Sequence, residues 1–161
     1  EHWITLSHNS KFHAIFATSS IPEAINYYRL IKGSDLKVTA LFVPNIDNNG
    51  GAAYKEAGLA EIIEDYNVRY GQSFGAATFD KMKKDIAARL AHKKPYERIE
   101  REPDKQIDLL IVVDQMLTGF DSKWINTLYL DKMLEYENII QAFSRTNRLF
   151  GTDKPFGTIK Y

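Results

Sequence analysis

The feature that most narrows what this chain can become is the stretch Ile107 to Val113, in which Leu109-Leu110-Ile111-Val112-Val113 runs without a polar break. Successive side chains of a strand point to opposite faces, so a run apolar at every position has no face left for water. It reads as the centre of a parallel sheet covered on both sides. Parallel neighbours need long crossovers, so the rest of the chain must supply strands separated by helices. The segment Phe12 to Ala17 is a short apolar run, followed by the polar Thr18-Ser19-Ser20 and then Pro22-Glu23-Ala24, a helix opening. That helix is expected over about 22 to 32, with Ala24, Tyr27, Tyr28 and Ile31 on one face and Gly33 as its stop. Lys37 to Val43, closed by Pro44, is a second strand.

Residues 45 to 58 are rich in turn formers and lack a period, which predicts a loop. Helices are expected over Leu59 to Tyr70 and Asp80 to Ala91, a charged connector from His92 to Gln106, a strand at Thr127 to Leu130, and a last helix from Tyr136 to Leu149. Gly157 to Tyr161 reads as a strand. The alternation predicts a doubly wound parallel sheet, an α/β fold, whose ligands collect at the carboxyl ends of the strands. The turns at Thr18 to Ser20 and Asp114 to Asp121 are therefore where function is to be sought.

With 161 residues, 44% hydrophobic and 26% charged, the chain is expected to form one domain, residues 1–161, around one core. It opens on Glu1 rather than Met, and the expectation is an excised piece of a longer multidomain chain. Cysteine is absent, no apolar run approaches the roughly 20 residues that span a bilayer, and no signal-peptide pattern opens the chain. A cytoplasmic setting without a membrane partner is expected. Lys+Arg and Asp+Glu are equal at 21 each, so any nucleic-acid contact must be local rather than a matter of bulk charge.

Two constellations carry chemistry. In the last predicted helix, Gln141, Arg145 and Arg148 fall within about 60° of one another, opposite Tyr136, Ile139, Ile140 and Phe143. Two guanidiniums and an amide on one face suit phosphoanhydride chemistry, where catalysis is mainly positioning and neutralisation of charge on phosphoryl oxygens. An ordinary polar helix face has the same spacing. The other constellation follows the buried strand: Asp114-Gln115-Met116-Leu117-Thr118-Gly119-Phe120-Asp121. Gly119 permits close backbone approach, Thr118 offers a hydroxyl and Asp121 a carboxylate; a plain strand-to-loop turn is the alternative.

In order and spacing, the run from Leu109 to Arg148 resembles motifs five and six of superfamily-two helicases. It resembles specifically the form found in the restriction (motor) subunits of type I restriction-modification enzymes, where strings such as Leu-Leu-Thr-Gly-Phe-Asp, Leu-Tyr-Leu-Asp-Lys and Gln-Ala-Phe-Ser-Arg-Thr-Asn-Arg occur together. Leu128 to Lys132 and Gly157 to Tyr161 fit that subgroup, whereas relatives commonly carry Ala-Pro where this chain has Ser122-Lys123. The resemblance implies a RecA-like three-layer α/β/α domain of P-loop NTPase type with a mainly parallel sheet. It implies the second motor domain of an ATP-dependent double-stranded DNA translocase, with Arg148 as the arginine finger reaching toward the γ-phosphate and Arg145 and Gln141 as further polar contacts. Gly119 and Asp121 correspond to positions near the nucleotide, and Thr118 to one that couples it to DNA. Thr18, Ser19 and Ser20 correspond by position to a turn that touches the nucleic-acid backbone, although Ser19 serves equally as the N-terminal cap of the first helix. The implied cofactors are ATP and Mg2+, held mainly by a preceding RecA-like domain. The implied partners are that domain, double-stranded DNA, and the modification and specificity subunits.

No Gly-x-x-x-x-Gly-Lys-Ser/Thr loop, no Asp-Glu pair after an apolar strand and no Asp…Glu-x-Lys nuclease constellation occurs in the chain, so the fragment alone is expected to be inactive. His2, His8, His13 and His92 lack ligand spacing and are read as structural or surface residues. Lys81, Lys83, Lys84, Arg89, Lys93 and Lys94 are read as a solvated face rather than a phosphate contact, and Trp124 and Tyr129 as core aromatics rather than base-stacking ones. Two other readings compete: another superfamily-two motor, which sequence upstream of Glu1 would decide, and a doubly wound binding module without motor function. Burial of Arg145 and Arg148 in internal ion pairs would favour the latter.

Overall fold

The computed structural model describes Thr5, Ser7, Asn9 and residues 11–44, 51–113, 122–131 and 157–160. Among them, β1 (His13–Thr18) leads through α1 (Ile21–Ile31) to β2 (Val38–Leu41). Then come α2 (Ala52–Tyr70), α3 (Phe79–Ala91), β3 (Leu109–Val113), β4 (Ile125–Leu130) and β5 (Thr158–Lys160). The strands form one sheet in the order β2-β3-β1-β4-β5, and every pairing is parallel. All five residues of β3 are buried, as the unbroken apolar run requires: with alternating side chains, both faces must be covered. The charge just before it, Asp108, sits at the amino edge, where its carboxylate accepts the Lys37 N–H at 2.9 Å and tethers the start of β2.

The first helix is capped by Ser20, not Ser19: Ser20 Oγ accepts from Glu23 N at 3.4 Å, and Pro22 stands in the first turn. Its buried face is Ile21, Ala24, Ile25 and Tyr28, with Tyr27 and Ile31 half-buried at its margins. The second helix corrects the expectation of a loop over 45 to 58: it starts at Ala52, while 45–50 lie outside the described residues. Gly58, the last residue of that expected loop, sits within the helix where α2 crosses α1. A Cβ there would collide with Ile25 Cδ1 and lie 2.8 Å from Ile25 Cγ1. Glycine serves the crossing rather than a turn. Beside it, Arg29 of α1 and its C-terminal cap Lys32 reach Glu61 of α2 at 2.6 and 2.7 Å, and their hydrogen bonds hold its carboxyl below the usual range.

Arg89 is a further correction. Grouped by sequence with an exposed basic stretch, it is only 2% exposed. Its guanidinium donates to Asp85 at 3.0 Å and to the Lys105 carbonyl at 2.7 Å, between the rings of Tyr70 and Tyr96 at 4.2 and 4.3 Å. This cage fastens the connector 92–106, built from short 3-10 turns, onto α3. Lys81, Lys84, Lys93 and Lys94 are exposed and Lys83 half-buried.

His13 and His92 form a buried pair at the amino edge. His13 Nδ1 lies 2.6 Å from the Ile107 carbonyl and therefore carries the proton that donates to it. Its Nε2 then accepts from His92 Nε2 at 2.9 Å, which leaves the lone pair of His92 Nδ1 facing Glu100 Oε2 at 3.4 Å. His92 also stacks on Trp124, with centroids 3.8 Å apart and the ring planes nearly parallel. Burial pulls His13 down to about 4, against the opposing pull of the Ile107 carbonyl and Asp108. Burial, then His13 and Lys123, lowers His92 to about 3.

Two outcomes follow from this packing. Gly58→Ala should destabilise the chain by about 1–2 kcal/mol in urea unfolding, because overpacking against Ile25 outweighs the roughly 1 kcal/mol by which alanine favours a helix. A stabilised variant would mean the crossing relaxes freely. The histidine pair has depressed folded-state affinity for protons, so the unfolded chain protonates first as pH falls. Stability should be nearly constant from pH 8 to 7 and fall by about 3 kcal/mol between pH 6.5 and 5, about half from each histidine and ahead of most carboxylate titration. A flat profile there would contradict the buried neutral pair.

Candidate functional site at the carboxyl edge of the sheet

Because every strand is parallel, Thr18, Leu41, Val113, Leu130 and Lys160 all end at one edge. At the centre of that edge, Thr18 is paired with Val113 and Ala17 with Leu130. From β1 the chain crosses to β2 on one side, whereas β4 is neighboured by β5 on the other. Such a reversal between adjacent strands opens a crevice at their carboxyl ends. The segment 114–121 begins where β3 ends beside Thr18, so the two turns singled out from sequence leave the sheet from adjacent strands.

The three hydroxyls of the first turn do different things. Thr18 is buried, and its Oγ1 lies 3.3 Å from the Val112 carbonyl and 3.2 Å from that of Ser20, holding the turn to β3. Ser20 is the helix cap. Ser19 alone of the three is exposed; its Oγ donates to Glu23 Oε2 at 2.5 Å. At the neighbouring strand end, Asp131 N donates to the Ala17 carbonyl at 3.2 Å, and its carboxylate accepts the Tyr27 hydroxyl at 2.8 Å. That hydrogen bond is the main cause raising the Tyr27 phenol above its ordinary range. Sequence reasoning passed over Tyr27 and Asp131 as site residues, since their meeting depends on how α1 packs beside β4.

The Ser122-Lys123 step, where Ala-Pro is expected, has a structural account. Ser122 Oγ donates to the Leu90 carbonyl at 2.8 Å and accepts from Trp124 N at 3.1 Å, binding the approach to β4 onto the last turn of α3. Trp124 and Tyr129 are both half-buried; one face of Trp124 is covered by His92, and Tyr129 packs against the core.

The described polar groups around the ends of β1 and β4 are hydroxyls and carboxylates, which do not neutralise a triphosphate. No group of three or more His, Asp or Glu among the described residues is arranged to hold a metal ion. These residues therefore do not by themselves fit a nucleotide with its Mg2+. Thr118, Gly119, Asp121, Gln141, Arg145 and Arg148 lie outside the described residues, as does the expected helix Tyr136 to Leu149. No helix among the described residues is long and apolar enough to cross a membrane.

Comparison with known proteins supplies the family. The C-terminal part of the Fun30 ATPase domain shares the fold at a TM-score of 0.51 and 12% identity, over 98% of this chain and 37% of that one. A type I restriction enzyme endonuclease subunit of Staphylococcus saprophyticus is 40% identical over 162 residues, 94% of this chain. A type I restriction enzyme endonuclease subunit of Staphylococcus aureus strain COL is 37% identical over 161 residues, again 94% of this chain. The chain spans only 17% and 16% of these two relatives. The family described as type I restriction enzyme subunit R domain 3 matches residues 10–161. With a five-stranded all-parallel sheet and a family match over nearly its whole length, the chain belongs to the type I restriction enzyme subunit R domain 3 family.

Proposed function

We propose that this chain, as a single domain, is the second RecA-like motor domain of an ATP-dependent double-stranded DNA translocase within a type I restriction endonuclease. The observation that supports this most is the shared edge: the Thr18 turn and the strand leading to Thr118, Gly119 and Asp121 end side by side at the crevice. In this reading, ATP and Mg2+ are held mainly by the preceding RecA-like domain of the parent chain. Arg148 reaches across the cleft to the γ-phosphate, where a guanidinium offsets charge on the transferring oxygens. Arg145 and Gln141 add polar contacts, Gly119 and Asp121 lie near the nucleotide, and Thr118 couples it to DNA. Ser19 is the hydroxyl of its turn best exposed to a backbone phosphate, whereas Thr18 and Ser20 shape that turn. The parent works in the cytoplasm with modification and specificity subunits, and the isolated domain is inactive because it lacks the phosphate-gripping loop.

In the full-length parent, Arg148→Ala should reduce DNA-stimulated ATP turnover by about 10³-fold or more while nucleotide binding is retained, since a finger acts on the transition state. Undiminished turnover would refute the role. Asp121→Ala should slow the motor without unfolding it, as read by ATPase rate and circular dichroism; a variant that unfolds would make Asp121 a structural residue.

A further inference from the structure

Glu23 and Tyr27 are four residues apart on one line of α1, and Ser19, four residues before Glu23, lies in the turn that precedes the helix. Ser19 Oγ donates to Glu23 at the head of this line. At its foot, Tyr27 donates to Asp131 at 2.8 Å, and its ring packs edge-on against Phe16 of β1 with centroids 4.7 Å apart. The strand register does not need this bond, because β1 and β4 are already paired from Ala14 with Thr127 to Ala17 with Leu130. Asp131 is the first residue beyond that register, and one further backbone hydrogen bond to β1 reaches it. Its N–H is held by the Ala17 carbonyl and its carboxylate by α1, so both its position and its orientation are defined. Tyr27 and Asp131 are only half-buried, at the margin of the core.

We propose that Tyr27 and Asp131 are positioning residues that fix the carboxyl end of β4 relative to the Ser19 turn, so that engagement of DNA by that turn is transmitted to the chain leading toward Gln141, Arg145 and Arg148. This inference rests on the motor reading above. The transmitting element is α1, which starts two residues after the exposed Ser19, is joined to it through Glu23, and carries the Asp131 tether at Tyr27. Misplacing a phosphoryl-contacting group by a fraction of an ångström slows the chemical step without altering nucleotide capture by another domain.

The test measures kcat and KM for ATP, with duplex DNA, in the full-length parent carrying Tyr27→Phe, Asp131→Ala, Asp131→Asn, or Tyr27→Phe with Asp131→Ala. Tyr27→Phe and Asp131→Ala should each lower DNA-stimulated kcat by about ten-fold with KM changed less than about two-fold. Asp131→Asn keeps the Oδ1 acceptor and should restore most of the turnover, and the double variant should be no slower than the slower single one. Unchanged kcat in Tyr27→Phe, multiplicative losses in the double variant, or Asp131→Asn as slow as Asp131→Ala would each overturn the inference. Arg148→Ala, run alongside, separates the two claims. Loss of turnover there with normal Tyr27→Phe rates refutes only the positioning role, whereas retained turnover there refutes the motor reading and this inference with it.

Discussion

The two-sided burial of the central strands is the constraint on which the rest of this structure depends. β3 has no exposed residue, and β1, between β3 and β4, has only Phe16 half-buried. Strands with no wet face can exist only if helices cover both sides, and helices that join parallel strands must return the chain to the same end of the sheet each time. All carboxyl ends then gather at one edge. The place where chemistry is to be sought is thus a consequence of where apolar side chains had to go.

The polar residues divide between the two ends of that sheet. At the amino edge Asp108 binds the Lys37 N–H and His13 binds both Ile107 and His92, while Arg89 is enclosed by Asp85, Lys105 and tyrosine rings. These buried groups are engaged inward, as desolvated polar atoms must be, and they join the connector to the core. At the carboxyl edge the pattern loosens. Thr18 and Ser20 are used by the backbone, but Ser19 stays exposed and the Tyr27–Asp131 bond lies at the margin of the core. A site that must meet a partner keeps polar groups at its surface and relies on the buried end for rigidity.

Arg89 illustrates how context decides what a residue type does. Arg89 has the composition of a surface cation, in a helix whose other basic residues are mostly exposed, yet its guanidinium lies among three tyrosines because α2 and the connector close over it. Gly58 is the complementary case. As a residue type it signals a break, and two turns of helix before it read as loop; as a packing element it allows α1 and α2 to approach, with Ile25 filling the space a side chain would need.

Read alone, the amino-acid sequence determined the alternation of strands and helices, the parallel central strand and the family-like string from Leu109 to Arg148, because these rest on local periodicity and composition. Strand ends shifted by one or two residues, since hydrogen-bond partners from other strands decide where a ladder stops. Ser20 rather than Ser19 as the cap, the His13–His92 pair, the Arg89 cage and the Tyr27–Asp131 bond were decided only by the tertiary structure. The last three join residues that are 79, 16 and 104 positions apart. No local pattern encodes such meetings, because they exist only once the sheet has brought distant segments to the same edge.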